Sequence, residues 1–365
     1  MTQAKAVCYN SFHKLSEGGS DDVTNQTRKR IFSAVFFFGI LALTLWYVFR
    51  DENLSRIAEY LADADARYAV LSVGAVIAFI LGESVVIRYL FHRLGTRTKF
   101  SHCCLFSFVG FFYSAITPSA SGGQPMQVLY MRRDGIPGAV STVVLAIVTI
   151  TYKLVLVVTG LAVMIFRPAA VMRYLDGVDA LVYIGLVMNV VFIALLLTAV
   201  FHPSIIQRTL KQVFNLLNRI RPFRNPEKVM ARVQNSLDHY QGTAAFFRQQ
   251  PGIIFNVFLI TLLQRFLLFS VVWFTYLAFG LSGENAITMV LLQAMVSVAV
   301  DMLPLPGGMG ISESLFLSIF EPIFGVELVL PGMIVCRGIS YYTQLVISGV
   351  MTGAAQFVFR RKRQK

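Results

Sequence analysis

The sequence predicts an all-α, polytopic integral membrane protein with about six spanning helices and two re-entrant helical hairpins in an inverted repeat. Three observations lead to this prediction: an apolar composition, basic residues concentrated in alternate loops, and two similar segments broken by Pro and Gly. Of the 365 residues, 56% are apolar and 14% charged, against about 45–50% and about 25% in soluble domains. A secreted module, a cytosolic enzyme and a disordered regulator are therefore excluded.

The net charge of +13 is explained by membrane topology rather than by nucleic-acid binding. No basic stretch belongs to a recognisable DNA or RNA module, so we expect no nucleic-acid partner. An excess of Lys and Arg marks the cytoplasmic loops of polytopic membrane proteins. Residues 202–250 carry eight basic and two acidic side chains, which predicts a cytoplasmic loop.

The apolar stretches give the order of the spans. A polar cytoplasmic tail, 1–30, shows no cleavable signal peptide. Spans are predicted at 31–49, about 68–90, about 137–166, about 180–201, about 252–280 and about 327–358, each long enough to cross the hydrocarbon core. A basic tail, 359–365, follows, so both termini are expected on the cytoplasmic side of the cell membrane. The transmembrane domain is thus expected over 31–358, with halves at about 68–201 and 252–358 on either side of the loop 202–250.

Amphipathic segments are predicted to lie at the membrane surface. Residues 50–67 lean acidic and have a helical apolar stripe, which suits a short helix on the outer surface. In the cytoplasmic loop, stripes at 210–220 and 229–240 predict two helices separated by Pro222 and Pro226. Anionic lipid would favour both of these helices.

Two interrupted apolar stretches are each predicted to form a re-entrant hairpin. In the first, residues 101–117 and Met126–Met131 flank the sequence TPSASGGQP. In the second, residues 286–302 and Ile311–Phe320 flank LPLPGGMG, and Pro322 ends the second helix. Broken backbone is tolerated at membrane depth only where protein buries it or it lines a cavity. If each hairpin instead counts as two crossings, the protein has eight spans and the long loops keep their sidedness.

The two broken segments resemble each other in composition and context. Each contains a pair of glycines, Gly122 and Gly123 in the first and Gly307 and Gly308 in the second. Lys153 follows Gly123 by 30 residues, and Arg337 follows Gly308 by 29. Because three crossings separate the segments, the halves should be inverted relative to each other. Inverted repeats with broken helices are typical of transporters with a binding site near the midplane.

Charged residues inside the spans are the candidate substrate-binding residues, since such residues are rare and are usually functional or paired. The basic candidates are Lys153, Arg265 and Arg337, and the acidic ones are Asp301 and Glu313. We expect the cations to line a polar cavity and hold a lipid phosphate, and the carboxylates to balance them or contact a cationic head group. The glycine pairs and Gln124 complete the predicted site, because helix ends and glycine backbone can approach an anion closely.

Alternatives remain open for these residues. The charges can form internal ion pairs that fix helix packing without a ligand, and Glu313 can cap the helix that begins after Gly310. Glu83 and Arg88 share the second span, and Arg88 can reach the interface. No Cys or His cluster has metal-ligand spacing, so neither a metal nor a cofactor is expected.

The segments TPSASGGQP and LPLPGGMGISE, together with Arg337 and Tyr341, resemble the lysylphosphatidylglycerol synthase transmembrane-region family. That family includes the flippase part of the bacterial multiple peptide resistance factor. The resemblance covers roughly residues 30–358. It implies movement of an aminoacylated phospholipid, such as lysylphosphatidylglycerol, between leaflets, in lipid metabolism and antimicrobial peptide resistance. Gln124 stands where the family frequently has an acidic residue, and Lys153 where it frequently has Arg.

The resemblance implies a lipid transporter whose partner is an anionic or aminoacylated membrane phospholipid. In the full-length factor a soluble domain transfers lysine from lysyl-tRNA to phosphatidylglycerol; none is expected here, so we do not expect an enzyme. A membrane-bound lysyltransferase or polyprenyl-linked glycosyltransferase remains an alternative, with Asp301 or Glu313 as its carboxylate. A scaffold that recruits a separate aminoacyl-phospholipid synthase through the loop 202–250 is another.

Overall fold

The protein is built from α-helices, which a computed structural model describes at residues 62–117, 120–201, 226–303 and 310–361. No β-strand occurs in these residues. In chain order the helices are α1 (Ala66–Arg93), α2 (Phe100–Ala115), α3 (Gly123–Arg133), α4 (Gly138–Phe166), α5 (Ala169–Met172), α6 (Asp179–Phe201), α7 (Pro226–Gln249), α8 (Pro251–Ala278), α9 (Ala286–Val300), α10 (Ile311–Phe324), α11 (Val329–Arg337) and α12 (Gln344–Arg361). A π-helical segment, Gly338–Thr343, joins the last two. The all-α fold class is confirmed.

Four helices of the described part are long and apolar enough to cross a membrane, namely α1, α4, α6 and α8. They contain 28, 29, 23 and 28 residues, so even the shortest is about 34 Å long, against a hydrocarbon core of about 30 Å. Their bounds lie within three residues of the predicted spans. The protein is therefore a multi-pass membrane protein. The predicted tail 1–30, the span 31–49 and most of the surface helix 50–67 lie outside the described residues.

Two pairs of shorter helices occupy the positions of the predicted hairpins. The first pair is α2 and α3, with 16 and 11 residues. The second is α9 and α10, with 15 and 14 residues. All four are shorter than about 25 Å, less than the thickness of the hydrocarbon core. The members of each pair pack on each other. Residues 118–119 and 304–309, between the paired helices, lie outside the description.

The end of α10 differs from the prediction. Pro322 was expected to end this helix, but the helix continues to Phe324. Because Pro322 lies in the last turn, it removes only one backbone hydrogen bond and blocks no further turn. Gly325 ends the helix instead. It has φ of 79°, a conformation that glycine adopts without steric cost, and its amide donates to the Glu321 carbonyl at 2.8 Å.

The last predicted span is helical but not uniform. It consists of α11, the π-helical segment and α12. In the π segment the Thr343 hydroxyl donates to the Gly338 carbonyl, five residues earlier, at 3.0 Å. π turns inside α-helices are rare and frequently lie at functional sites. The hydropathy pattern predicts a single span here and gives no sign of a π turn.

The order and direction of the helices reveal an inverted repeat. The series α1 to α4 is matched by α8 to α12: a 28-residue helix, a pair of short helices and a long final span. The equivalent helices α1 and α8 are antiparallel. The Asp65 amide before α1 donates to the Ala278 carbonyl at the end of α8, at 2.9 Å. Near the opposite ends, Asn256 Nδ2 of α8 donates to the Tyr89 hydroxyl of α1, also at 2.9 Å.

The two halves exchange packing partners in a reciprocal way. Helix α2 of the first half packs against α12 of the second, and α9 of the second half packs against α4 of the first. Each hairpin is therefore held by the long final span of the other half. This is the arrangement that a pseudo-two-fold axis between the halves produces.

Helix α7 corresponds to the second amphipathic helix predicted in the basic loop. It lies against the end of α6, where the Tyr240 hydroxyl donates to the Ala199 carbonyl at 3.0 Å. Leu237 and Phe247 on the same helix are buried. The predicted helix at 210–220 lies outside the described residues.

Gly185→Ala is expected to destabilise the protein because α6 and α9 touch at this glycine. A Cβ there would lie 2.2 Å from the Val298 carbonyl oxygen and 2.8 Å from the Ala299 Cα. Backbone atoms cannot move aside as a flexible side chain can. We expect the midpoint of thermal unfolding in detergent to fall by several degrees.

The matched control is Gly74→Ala in α1, where a Cβ would meet no atom within 4 Å. There alanine should maintain or raise the midpoint, since it favours a helix by about 1 kcal/mol over glycine. Equal midpoints for the two variants would contradict the α6–α9 contact.

Candidate functional site

An ion pair near the middle of α4 joins the two halves. Lys153 of α4 donates through Nζ to a carboxylate oxygen of Asp301, which caps the end of α9. The two side chains are 9% and 14% exposed. A carboxylate at the C-terminal end of a helix faces the negative end of the helix dipole, so Asp301 depends on a nearby cation. Lys153 supplies that cation from the other repeat.

Arg265 lies beside this pair, near the middle of α8, and is 3% exposed. Its Nη1 donates to the Tyr152 hydroxyl of α4. The guanidinium carbon lies 3.9 Å from the centroid of the Tyr152 ring and 4.9 Å from that of Phe269. Within the part of the chain that the structure describes, no carboxylate lies within ion-pair distance of Arg265, and its Nε has no hydrogen-bond partner. A buried cation without a counter-ion is costly to maintain.

Helices α1 and α3 add a carboxylate and two amides to this region. Glu83 of α1 accepts a hydrogen bond from Gln127 Nε2 of α3 at 2.7 Å. Gln127 lies over α2 at Gly110, where a Cβ would come 2.3 Å from Nε2, so a larger residue there would displace the Gln127 amide. One turn earlier on α3, Gln124 donates to the Thr149 hydroxyl of α4.

A second ion pair lies within the second half. Arg337 Nε and Nη2 lie 2.8 and 2.7 Å from Glu313 Oε1. Glu313 Oε2 accepts from the Gly310 amide at 2.7 Å and from the Ser312 hydroxyl at 2.9 Å. The Gly310 contact is the capping interaction expected of a carboxylate in the first helical turn. Glu313 thus caps α10 and also pairs with Arg337.

The π segment contacts the first hairpin. The Tyr341 hydroxyl donates to the Ala115 carbonyl at the end of α2, at 2.9 Å. The last carbonyls of a helix lack an intrahelical partner, and this hydroxyl supplies one. The end of α2 is therefore held by the final span of the second half, as the end of α9 is held by Lys153.

The structure brings together only part of the predicted site. Lys153, Asp301 and Arg265 lie around Tyr152, whose electrostatic neighbours are Arg265, Asp301 and Glu83. We call these five residues the central cluster. Arg337 and Glu313 form a separate pair. Whether any of them binds substrate stays a prediction.

The glycines of the first motif serve the packing of its hairpin. The Gly122 amide donates to the Thr117 hydroxyl at 2.9 Å. A Cβ on Gly123 would lie 2.7 Å from the Gly110 carbonyl oxygen, so this glycine lets α3 approach α2. The corresponding Gly307 and Gly308 lie outside the described residues.

Gln127 was missed in the sequence, although a signal for it was present. It stands three residues after Gln124 on a short helix, and hence on the same helical face. Tyr152 likewise adjoins Lys153 in the sequence, but an aromatic residue next to a cation is common and predicts no particular contact.

Two cavities lie at the opposite ends of the α1–α8 pair rather than at the central cluster. One, of about 470 Å³, adjoins Asp65 and Ala278, and the other, of about 330 Å³, adjoins Tyr89 and Asn256. Both ends of the same helix pair are therefore open, whereas Lys153 and Arg265 near its middle are less than a tenth exposed.

The fold and the cluster define a multi-pass membrane protein with an internal inverted repeat and charged residues where its halves meet. Residues 31–348 match the family model described as the lysylphosphatidylglycerol synthase TM region. The chain belongs to this family, and the resemblance seen in its motifs is confirmed. A comparison with curated proteins gave no match.

Removing one member of the Lys153–Asp301 pair is expected to destabilise the protein more than removing both. Lys153→Met leaves a carboxylate without its counter-ion, which costs about 3–5 kcal/mol for a buried pair. Adding Asp301→Leu removes that charge as well, and should recover most of the decrease in the midpoint of thermal unfolding that Lys153→Met causes.

The matched control is Arg173→Met, which breaks the loop ion pair with Glu284. Because Arg173 is 55% exposed, this change should have little effect. If the double variant were no more stable than Lys153→Met, the pairing between the halves would be wrong.

Proposed function

We propose that the protein is a flippase-like lipid transporter, and that Arg265 binds the phosphate of the lipid as it moves between leaflets. The observation that carries the proposal is the state of Arg265: a cation 3% exposed, without a carboxylate partner in the described residues, and with Nε unsatisfied. Guanidinium groups match phosphate oxygens with paired hydrogen bonds. A lipid phosphate would supply the missing counter-ion and the missing acceptor together.

The inverted repeat supports transport over a static binding role. Carriers of this kind alternate access by moving one repeat against the other around a central site. Here the repeats meet at the antiparallel α1–α8 pair, the central cluster lies near its middle, and a cavity adjoins each end. We take the basic loop 202–250 and both termini as cytoplasmic in the cell membrane, following the positive-inside rule.

The family name indicates the substrate class, a phospholipid related to lysylphosphatidylglycerol. An enzyme of the lysyltransferase type would need a positioned general base. Asp301 and Glu313, the carboxylates considered for that role, both take part in ion pairs. This favours a transporter over the enzymatic alternative.

Arg265→Ala is expected to slow lipid movement at least tenfold, because the phosphate loses its cationic partner. The measurement is the protein-dependent exposure of lysylphosphatidylglycerol in proteoliposomes, followed with a membrane-impermeant amine reagent. Empty liposomes give the background rate.

Arg248→Ala is the matched control, since it removes an exposed arginine at the end of α7 and should retain the wild-type rate. Thermal unfolding in detergent checks that both variants fold. Wild-type movement by a folded Arg265→Ala protein would refute the phosphate site.

A further inference from the structure

The carboxylates at membrane depth differ in whether a cation accompanies them. Asp301 is paired with Lys153, and Glu313 with Arg337. Among the described residues, no Lys, Arg or His lies within ion-pair distance of Glu83. The apolar stretches outside the description, 31–49, 118–119 and 304–309, contain no Lys, Arg or His. Among the described residues, Glu83 is thus the carboxylate of the central cluster that has no cationic ion-pair partner.

The groups around Glu83 are neutral hydrogen-bonding side chains. Gln127 of α3 donates to it at 2.7 Å. Tyr152 of α4 is an electrostatic neighbour of Glu83, and its hydroxyl accepts a hydrogen bond from Arg265. Arg88, five residues further along α1, lies over the Phe100 ring at 5.6 Å, at the start of α2.

Glu83 and Arg265 lie on either side of one helix contact. A Cβ on Gly82 of α1 would come 2.9 Å from Gln264 Cγ of α8, so the helices touch at the residues just before Glu83 and Arg265. Tyr152 is an electrostatic neighbour of both. Yet the two do not form an ion pair with each other. Within the described part of the chain, a carboxylate and a guanidinium that each lack an ion-pair partner therefore adjoin the same region.

We infer that Glu83 binds the ammonium group of the lipid head group while Arg265 binds its phosphate, which makes Glu83 the residue that selects lipids with an amine-bearing head group. The inference rests on the proposed transport function and adds the residue that selects the head group. The sequence predicts that Asp301 and Glu313 either balance the buried cations or contact a cationic head group, and both form ion pairs, with Lys153 and Arg337. The hydrogen bond between Glu83 and Gln127 is only part-buried.

The test compares lipids that differ in the head-group amine. Proteoliposomes receive phosphatidylglycerol, phosphatidylethanolamine or lysylphosphatidylglycerol, each with the same fluorophore on an acyl chain, and dithionite quenches the exposed leaflet. The wild type should move the two amine-bearing lipids about tenfold faster than phosphatidylglycerol, because a buried ammonium–carboxylate hydrogen bond is strong. Glu83→Gln, which has nearly the same shape and can still bond to Gln127, should bring this ratio close to one.

Two further variants test whether the ratio between amine-bearing lipids and phosphatidylglycerol depends on the carboxylate of Glu83. Glu83→Asp retains the carboxylate and should recover part of the amine preference. Asp176→Asn removes an exposed carboxylate of the α5–α6 loop and should leave the ratio as in the wild type. A ratio is used because a merely structural defect would slow all three lipids alike.

The outcomes separate this inference from the proposed function. If the wild type moves no lipid faster than empty liposomes, the transport function fails, and the inference with it. If the wild type moves lipids without an amine preference, or Glu83→Gln retains that preference, only the inference fails. If Glu83→Gln reconstitutes poorly, added lysylphosphatidylglycerol should still raise the thermal midpoint of the wild type more than that of the variant in detergent. Equal rises would overturn the inference.

Discussion

Charge in a membrane interior must be compensated by opposite charge or by dense hydrogen bonding, and the ion pair between Lys153 and Asp301 meets this requirement. Its two members come from different repeats and are 148 residues apart. The pair therefore does more than neutralise two groups. It fixes the end of α9, in the second hairpin, against the final span of the first half. Tyr341 fixes the end of α2 in the corresponding way, through a neutral hydrogen bond to the Ala115 carbonyl.

Two charged residues at membrane depth, Arg265 and Glu83, do not take part in the ion pairs of the described residues, and the functional proposal rests on them. Arg265 lies against two aromatic rings and has no carboxylate partner among the described residues, and Glu83 accepts a hydrogen bond from the Gln127 amide. Such groups cost stability, and a fold that retains two of opposite sign beside one helix contact is suited to a ligand with both signs. One ion pair joins the two halves and the other joins the second hairpin to α11, and the two groups without an ion-pair partner in the described residues are those that we propose to bind the lipid.

Much of the fold was predictable, because hydropathy and the positions of Pro and Gly are local signals. The bounds of α1, α4, α6 and α8, both hairpins and the inverted repeat all followed from them. The partners of the buried charges were not predictable. Nothing near Arg337 in the sequence distinguishes Glu313 from Asp301 as its counter-ion, because this choice depends on how helices far apart in the chain pack. The prediction that Pro322 ends α10 was wrong for a local reason, because a proline in the last turn of a helix is tolerated.

The π segment Gly338–Thr343 interrupts the final span of the second half, whereas its counterpart α4 is a continuous helix. A π turn contains more residues than an α turn, so side chains beyond it point in other directions than their equivalents in α4. Strict two-fold symmetry would make the two faces of the membrane interchangeable and would require both orientations of a carrier to have equal energy. This local irregularity removes that requirement, and it gives the molecule a polarity that its duplicated architecture alone would lack.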